Sequence, residues 1–391
     1  MNPPLSLYVH LPWCVQKCPY CDFNSHAAGD AAPRQRYLDA VLQDLRNEAS
    51  RAGDRPIETV FLGGGTPSLF APSEIARLLR GVRDNYTLVP NAEITMEANP
   101  GTVECGDPAG YRDAGVNRLS FGGQSFNDNL LRKIGRIHSS EDIVRAVHDA
   151  RRAGIENINI DVMHGLPGQG AAEALDDLRA AMALEPAHIS WYQLTLEPNT
   201  IFYARPPAGL PDDEAAWEMQ DSGQALLARN GYLQYEVSAY ARDRQRCLHN
   251  LNYWLFGDYL AVGAGAHGKF SDASGVCRYI KPANPMQYMK SIESGTASPA
   301  PLPLPANDLA FEFMLNALRL TDGFDAAVFE ERTGAGPGDL DRIMQPSRMK
   351  GLVSRDADAV WRPTSLGRRF LNDLQAEFLP GPDRDTAVEA F

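Results

Sequence analysis

The chain has 391 residues, 44% of them hydrophobic, enough to bury a large core in two to three domains. Six cysteines are too few for a disulfide scaffold, and the opening MNPPLSLYVH carries neither the basic region nor the apolar stretch of a secretory leader. A net charge of −13 argues against general binding to phosphate backbones, so no nucleic-acid partner is expected.

Along the first 240 residues, short β-branched or aromatic runs alternate with helical stretches. The runs predict strands at 5–11, 59–64, 93–99, 118–124, 157–165 and 188–197. Between them, 33–49 and 139–155 are amphipathic; the second opens Ser139-Ser140-Glu141-Asp142, an N-cap with acidic first-turn residues, and stops at Gly154. Strands alternating with helices predict βαβ units and a parallel sheet. Six units are fewer than the eight of a closed barrel, so the expected fold is α/β, a partial, laterally open (β/α)6 TIM-like barrel over 1–240. Chemistry is expected at the C-terminal ends of its strands.

Residues 241–306 break the pattern, and from 280 to 307 a stretch rich in Pro, Ser and Ala reads as a linker or wrapping arm. Beyond it, 308–320 predicts a helix, and 349–378 a β-ribbon followed by a helix. Residues 307–379 therefore read as a small C-terminal winged-helix-like α+β domain. Asp373 and Glu377 make its last helix mixed in charge, so a lid or packing role is expected, and 380–391 reads as a flexible tail.

The distinctive feature is YVHLPWCVQKCPYCDFNS, residues 8–25, where Cys14, Cys18 and Cys21 fall within eight positions. Structural zinc takes four ligands, and His10 or His26 would have to supply the fourth. Unconnected buried thiols are a second reading. The third is a [4Fe–4S] cluster held by three thiolates, with one iron left open for a small molecule. The C-x3-C-x2-C spacing is that of radical S-adenosylmethionine (SAM) proteins, in which the open iron chelates SAM and an electron from the cluster cleaves its sulfonium. Tyr20, just before the last cysteine, strengthens this reading. The GGGTP turn at 63–67 ends the second strand, where glycines let the backbone approach a ligand. Glu97, Gln124, Arg136 and Asp161 lie at or near later strand ends. Carboxylates suit ribose hydroxyls and the SAM ammonium, and Arg suits its carboxylate. Singly, each residue also reads as an ordinary cap or surface group; together they read as one pocket.

The chain resembles the radical SAM family that contains oxygen-independent coproporphyrinogen III oxidase and the HemW-type haem chaperones. The likeness rests on the cysteine loop and on FLGGGTPS, GVNRLSFGGQSF, NINIDVMHGLPGQ, HISWYQLTLEPNT, HNLNYW, DYLAVGAGAHG and PTSLGRRFL. It implies SAM contacts from Tyr8, Tyr20, Gly64, Gly65, Thr66, Glu97, Gln124, Arg136 and Asp161, with a second SAM site near Gly265–His267 conceivable. The oxidase pattern has a fourth cysteine where this chain has Phe23, and a longer N-terminal extension. Both departures favour the HemW branch, as does HNLNYW at 249–254, which looks like the HNxxYW motif associated with haem. His164 and Gly123 depart from that branch, which usually has Tyr and Val there.

Neutral imidazole ligates haem iron and aromatic rings stack on porphyrin, so His249, Tyr253 and Trp254 are the haem candidates. The plainer reading makes HNLNYW a packed core segment and His249 a structural histidine. Cys247 could offer a thiolate but reads first as a lone buried thiol, Cys105 and Cys277 are too dispersed for a second cluster, and His10, His164 and His267, in barrel loops, could reach a porphyrin but read first as structural histidines. The first function implied is a haem chaperone that passes haem to an acceptor haemoprotein, a membrane haemoprotein for example, with an unnamed electron donor serving the cluster. The alternatives are coproporphyrinogen III oxidase, decarboxylating two propionates, and a radical SAM enzyme with another substrate. The expected location is the cytoplasm, including the inner face of the membrane, and no pattern marks an oligomer interface.

Overall fold

A computed structural model of the chain describes residues 3–29, 32–101, 106–242, 245–273, 275–295 and 300–380. Cys105 and the tail beyond 380 lie outside the described residues. Six parallel strands pair in chain order: β1 (Leu5–Leu11), β2 (Ile57–Gly64), β3 (Leu88–Ala98), β4 (Arg118–Gln124), β5 (Asn157–His164) and β6 (His188–Gln193). Helices Arg34–Ala52, Pro72–Asn85, Pro108–Ala114, Ser140–Arg152 and Ala171–Ala183 connect them. The two ends of the sheet do not pair with each other, so the barrel stays laterally open.

The strand ends agree with the sequence reading to within a few residues, and the cap does too. Ser139 and Asp142 form a capping box at Ser140–Arg152. The strand count differs. Asp258–Val262 returns from far along the chain and adds a seventh parallel strand on the outer side of β1. Antiparallel strands His267–Asp272 and Gly275–Ile280 extend the sheet beyond it. Within 280–307, Pro285–Glu293 is a helix capped by Asn284, with Tyr288, Met289 and Ile292 buried. It packs on Arg34–Ala52, where buried Lys281 reaches Asp44 at 2.7 Å and Glu48 at 2.6 Å. An ion cluster this dry specifies one docking geometry for that arm.

Alternation along the strands decides what the barrel encloses. One face buries Leu7, Val9, Val60, Leu62, Leu119, Phe121, Ile158, Ile160 and Ile189 under the helices. The other face carries Tyr8, Glu97, Arg118, Ser120, Gln124, Asn159, Asp161, His188 and Ser190. A barrel packed solid fills its interior with branched apolar layers. This interior is polar, and it encloses a cavity.

The C-terminal unit runs helix Ala306–Ala317, strand Phe324–Asp325, helices Ala326–Thr333 and Asp339–Met349, then strands Val353–Arg355 and Val360–Pro363. That is the order of a winged-helix module. Its own core gathers Phe313, Phe324, Phe329, Trp361 and Leu374. Phe256 joins this core from the barrel side, and Arg319 pairs with Glu236 at 3.2 Å across the junction.

Candidate functional site

A cavity of about 620 Å³ runs through the barrel interior. Its wall includes Cys14, Cys18 and Cys21, the nine residues proposed for SAM, and His249, Tyr253 and Trp254. Residues far apart in sequence thus share one chamber, with the thiols at its mouth and the 249–254 segment at its floor.

Trp13–Cys14 and His26–Ala27 pair at the base of the cysteine loop, and Asn24 donates to Ala264 O at 2.9 Å and Ala283 O at 2.8 Å. Gly65 N and Thr66 N donate to Leu11 O and Trp13 O at 2.8 and 2.7 Å, which locks the glycine turn to that loop. The turn tolerates no side chain. A Cβ on Gly65 would lie 2.7 Å from the carbonyl of Trp13, and Gly64 has φ +119° with the His10 ring 2.5 Å from its would-be Cβ.

Among the described residues, no three His, Cys, Asp or Glu side chains converge as a single metal ion requires. Two of the three sulfurs have Ser25 as a common neighbour. Cys14 lies by Thr66 and Ser25, Cys21 by Ser25 at 3.8 Å, and Cys18 has the Arg136 guanidinium 3.6 Å away. Three thiolates suit a [4Fe–4S] cluster with one iron left open, whereas structural zinc takes four protein ligands. His10 and His26, weighed as a fourth zinc ligand, are both engaged: His10 between the Tyr8 hydroxyl and Asn24 O, His26 with Asn24 Oδ1. Burial raises the Cys14 and Cys21 thiols above their usual range, so deprotonation at this mouth calls for a cation to bind.

At the strand ends, Glu97 is partly buried and, among the described residues, accepts one hydrogen bond, from Gly64 N at 3.1 Å. Burial, with nearby Asp161, pushes its carboxyl up to about 7. Gln124 sits at φ +70°, a left-handed conformation disfavoured for a side-chain-bearing residue, and accepts from the Tyr192 hydroxyl at 2.7 Å. Arg136 donates to Asn99 Oδ1 at 2.7 Å and to Gly122 O. Tyr20 contacts Phe202, with ring centroids 6.4 Å apart.

The floor is the short helix Leu248–Trp254, laid against β1, β2 and Asp258–Val262. Glu93 caps it, accepting from Leu248 N at 3.0 Å, His249 N at 3.1 Å and the Cys247 thiol at 3.6 Å. Burial pushes that thiol up to about 12, which keeps it protonated. His249 is buried and its ring stacks on Phe61 at 5.0 Å. Its Nδ1 lies 2.7 Å from the Thr59 hydroxyl, whose own proton goes to Ser6, so Nδ1 is the protonated nitrogen. Nε2 then accepts from the Tyr253 hydroxyl at 3.1 Å. Burial, helped by Arg118, lowers His249 to about 3, so the ring is neutral.

Several wall residues lay outside the sequence reading: Asn99, Arg118, Asn159, His188, Ser190 and Tyr192. His188 Nδ1 donates to Asn159 Oδ1 at 2.6 Å, and its Nε2 accepts from the Tyr235 hydroxyl at 2.8 Å. Asn159 donates to Asp161, and Tyr235 accepts from Cys247 N, so a hydrogen-bonded chain joins an upper-wall carboxylate to the start of the floor helix. The missed signal is the polar period of two in R118-x-S120, N157-x-N159-x-D161 and H188-x-S190. His10, His164 and His267 all lie on strands, not in loops, and none of them lines the cavity. Gly265 lies against Asn24, whose amide nitrogen is 2.3 Å from where a Cβ would stand.

A model of the Radical SAM superfamily matches residues 8–181, and one of the HemN C-terminal domain matches 304–370. A protein named heme chaperone HemW from Haemophilus influenzae is 47% identical over 382 residues, covering 96% of this chain and 98% of its own. The chain belongs to the HemW family of radical SAM proteins. The HemW of Escherichia coli is 46% identical with the same coverage, and that of Bacillus subtilis 33% identical over 382 residues. The solved structure of E. coli coproporphyrinogen III oxidase (HemN), a radical SAM enzyme, aligns with a TM-score of 0.81 at 26% identity, covering 96% of this chain and 90% of that one. Membership of the radical SAM superfamily implies a [4Fe–4S] cluster and SAM, and the mouth of this HemW-family cavity offers donors that fit them.

Proposed function

We propose that this chain carries haem and delivers it to an acceptor haemoprotein, with a [4Fe–4S] cluster and SAM bound at the mouth of the same cavity. The observation that carries the reading is the joining of the three thiols and the His249–Trp254 segment in one chamber of about 620 Å³. The names of the HemW relatives, and Phe23 in place of a fourth cysteine, support it. When bound, the cluster and SAM would supply one-electron reductive chemistry at the SAM sulfonium.

Cys14, Cys18 and Cys21 hold the cluster. Glu97 and Asp161 accept from the SAM ammonium and ribose, the backbone of Gly64–Thr66 borders its methionyl end, and Arg136 offers positive charge beside Cys18. Tyr8, Tyr20 and Gln124 complete the pocket wall. His249 offers Nε2 to iron once the Tyr253 hydroxyl turns away, and Trp254 supplies an aromatic face. Among the described residues no helix is long and apolar enough to cross a membrane. The proposed location is the cytoplasm, with hand-over at the inner face of the membrane.

The test pairs two assays on anaerobically reconstituted protein. Haemin titration should give a Soret band that His249→Ala weakens, with no turnover of coproporphyrinogen III. Decarboxylation at enzymatic rates would replace this reading with the oxidase one.

A further inference from the structure

Arg118 opens β4 at the lower part of the cavity wall and is 2% exposed. It makes no hydrogen bond or ion pair among the described residues, and its buried Nε has no partner. A guanidinium has five donors, and leaving them unmet away from water is costly. Its neighbours are already committed. Both carboxylate oxygens of Glu93 cap the floor helix, Asp161 accepts from Asn159, and both ring nitrogens of His188 are bonded. Burial works against the Arg118 charge, but Cys247, Glu93, Tyr235 and Asp161 act on it through space and sustain it. Arg118 is therefore a charged fork pointing into the chamber beside polar neighbours that already bond other groups. Arg136 already has the Cys18, Asn99 and Gly122 partners that the mouth provides, so the two arginines are not duplicates.

We propose that Arg118 is the receptor for a ligand carboxylate in the inner half of the cavity, and, resting on the haem-carrier reading above, that this carboxylate is a haem propionate. A planar guanidinium meets a carboxylate with two parallel N–H donations, and the site lies close enough to His249 for its charge to act on that ring. A haem held near the floor helix would then be fixed at its iron and at its propionate edge, which also sets its orientation. SAM carries a carboxylate as well, and the test separates the two sources.

Haemin and haemin dimethyl ester, whose propionates are uncharged, are titrated into the reconstituted full-length protein. Wild type, Arg118→Gln and Arg118→Lys are compared, and SAM binding is measured on each. Wild type should prefer haemin to the diester by tenfold to a hundredfold, on the order expected of a buried charged hydrogen bond. Arg118→Gln should bind both forms alike, Arg118→Lys should fall between, and SAM affinity should not change. If wild type binds both forms equally, or Arg118→Gln keeps the preference, Arg118 does not receive a propionate. Loss of SAM affinity in Arg118→Gln with the haemin preference intact would assign the carboxylate to SAM and overturn the proposal. Should Arg118→Gln lose its circular dichroism, Arg118→Lys and the wild-type diester comparison decide. Wild type that binds neither form removes the haem reading itself, a result distinct from all the others.

Discussion

The mouth and the floor of the barrel cavity are built in opposite ways. At the mouth, a loop and strand ends are held by backbone hydrogen bonds, and the groups facing inward are under-used: Glu97 accepts one bond, and Cys18 and Cys21 are partly exposed. Gln124 is held at a positive φ there. At the floor, Ser6, Thr59, His249 and Tyr253 form a continuous chain of hydrogen bonds, and Glu93 satisfies the start of the helix that carries the last two. A ligand entering the mouth finds unmet donors and acceptors. A ligand reaching for His249 must first displace the Tyr253 hydroxyl. The mouth is arranged for standing occupancy and the floor for exchange, which suits a cofactor at one end and a cargo at the other.

The sharpest break between the ends comes from Cys18→Ser. It should abolish the iron–sulfur absorbance and SAM binding after reconstitution while leaving haemin binding in place. Equal loss of both would make the two ends one site. Next in size, Glu93→Ala strips the floor helix of its cap, leaving two N–H groups and a thiol buried without an acceptor. It should cost about 3 kcal/mol in urea unfolding. An unchanged midpoint would mean that the floor network does not hold the helix. The mouth has its own signature in pH. Glu97, raised to about 7, must shed its proton to meet the SAM ammonium. SAM affinity should therefore fall by up to tenfold, about 1.4 kcal/mol, per pH unit below 7 and level off above it, as calorimetry would record. In Glu97→Gln the slope should vanish. The smallest effect belongs to Tyr253→Phe. Freeing His249 Nε2 from one hydrogen bond should tighten haemin binding severalfold, about 1 kcal/mol. Weaker binding would make Tyr253 itself part of the haem contact.

Much of the mouth was legible in the chain because its signals are local. Cysteine spacing, the glycine turn and the residues at strand ends each occupy a few consecutive positions, and the parallel barrel sets those ends side by side. Ser139 and Asp142 declared their helix for the same reason. The floor was not legible. His249 was singled out by its motif, but Glu93, Thr59 and Ser6, which hold it, sit on strands more than 150 residues away. The helix Pro285–Glu293, within a stretch that reads as a linker, depends in the same way on Asp44 and Glu48 of a distant helix, which pair with Lys281 just before it.

By itself the sequence determined the strand and helix alternation, the three-thiol loop and the family, since these follow from local period, spacing and residue type. Only the tertiary structure decided that Asp258–Val262 lies beside β1, that the alternate polar residues of β4, β5 and β6 line one cavity, and that Arg118 has no hydrogen-bond partner there among the described residues. Strand order and inward facing are set by pairings between distant segments, and whether a buried charge is met depends on which side chains those pairings bring within reach.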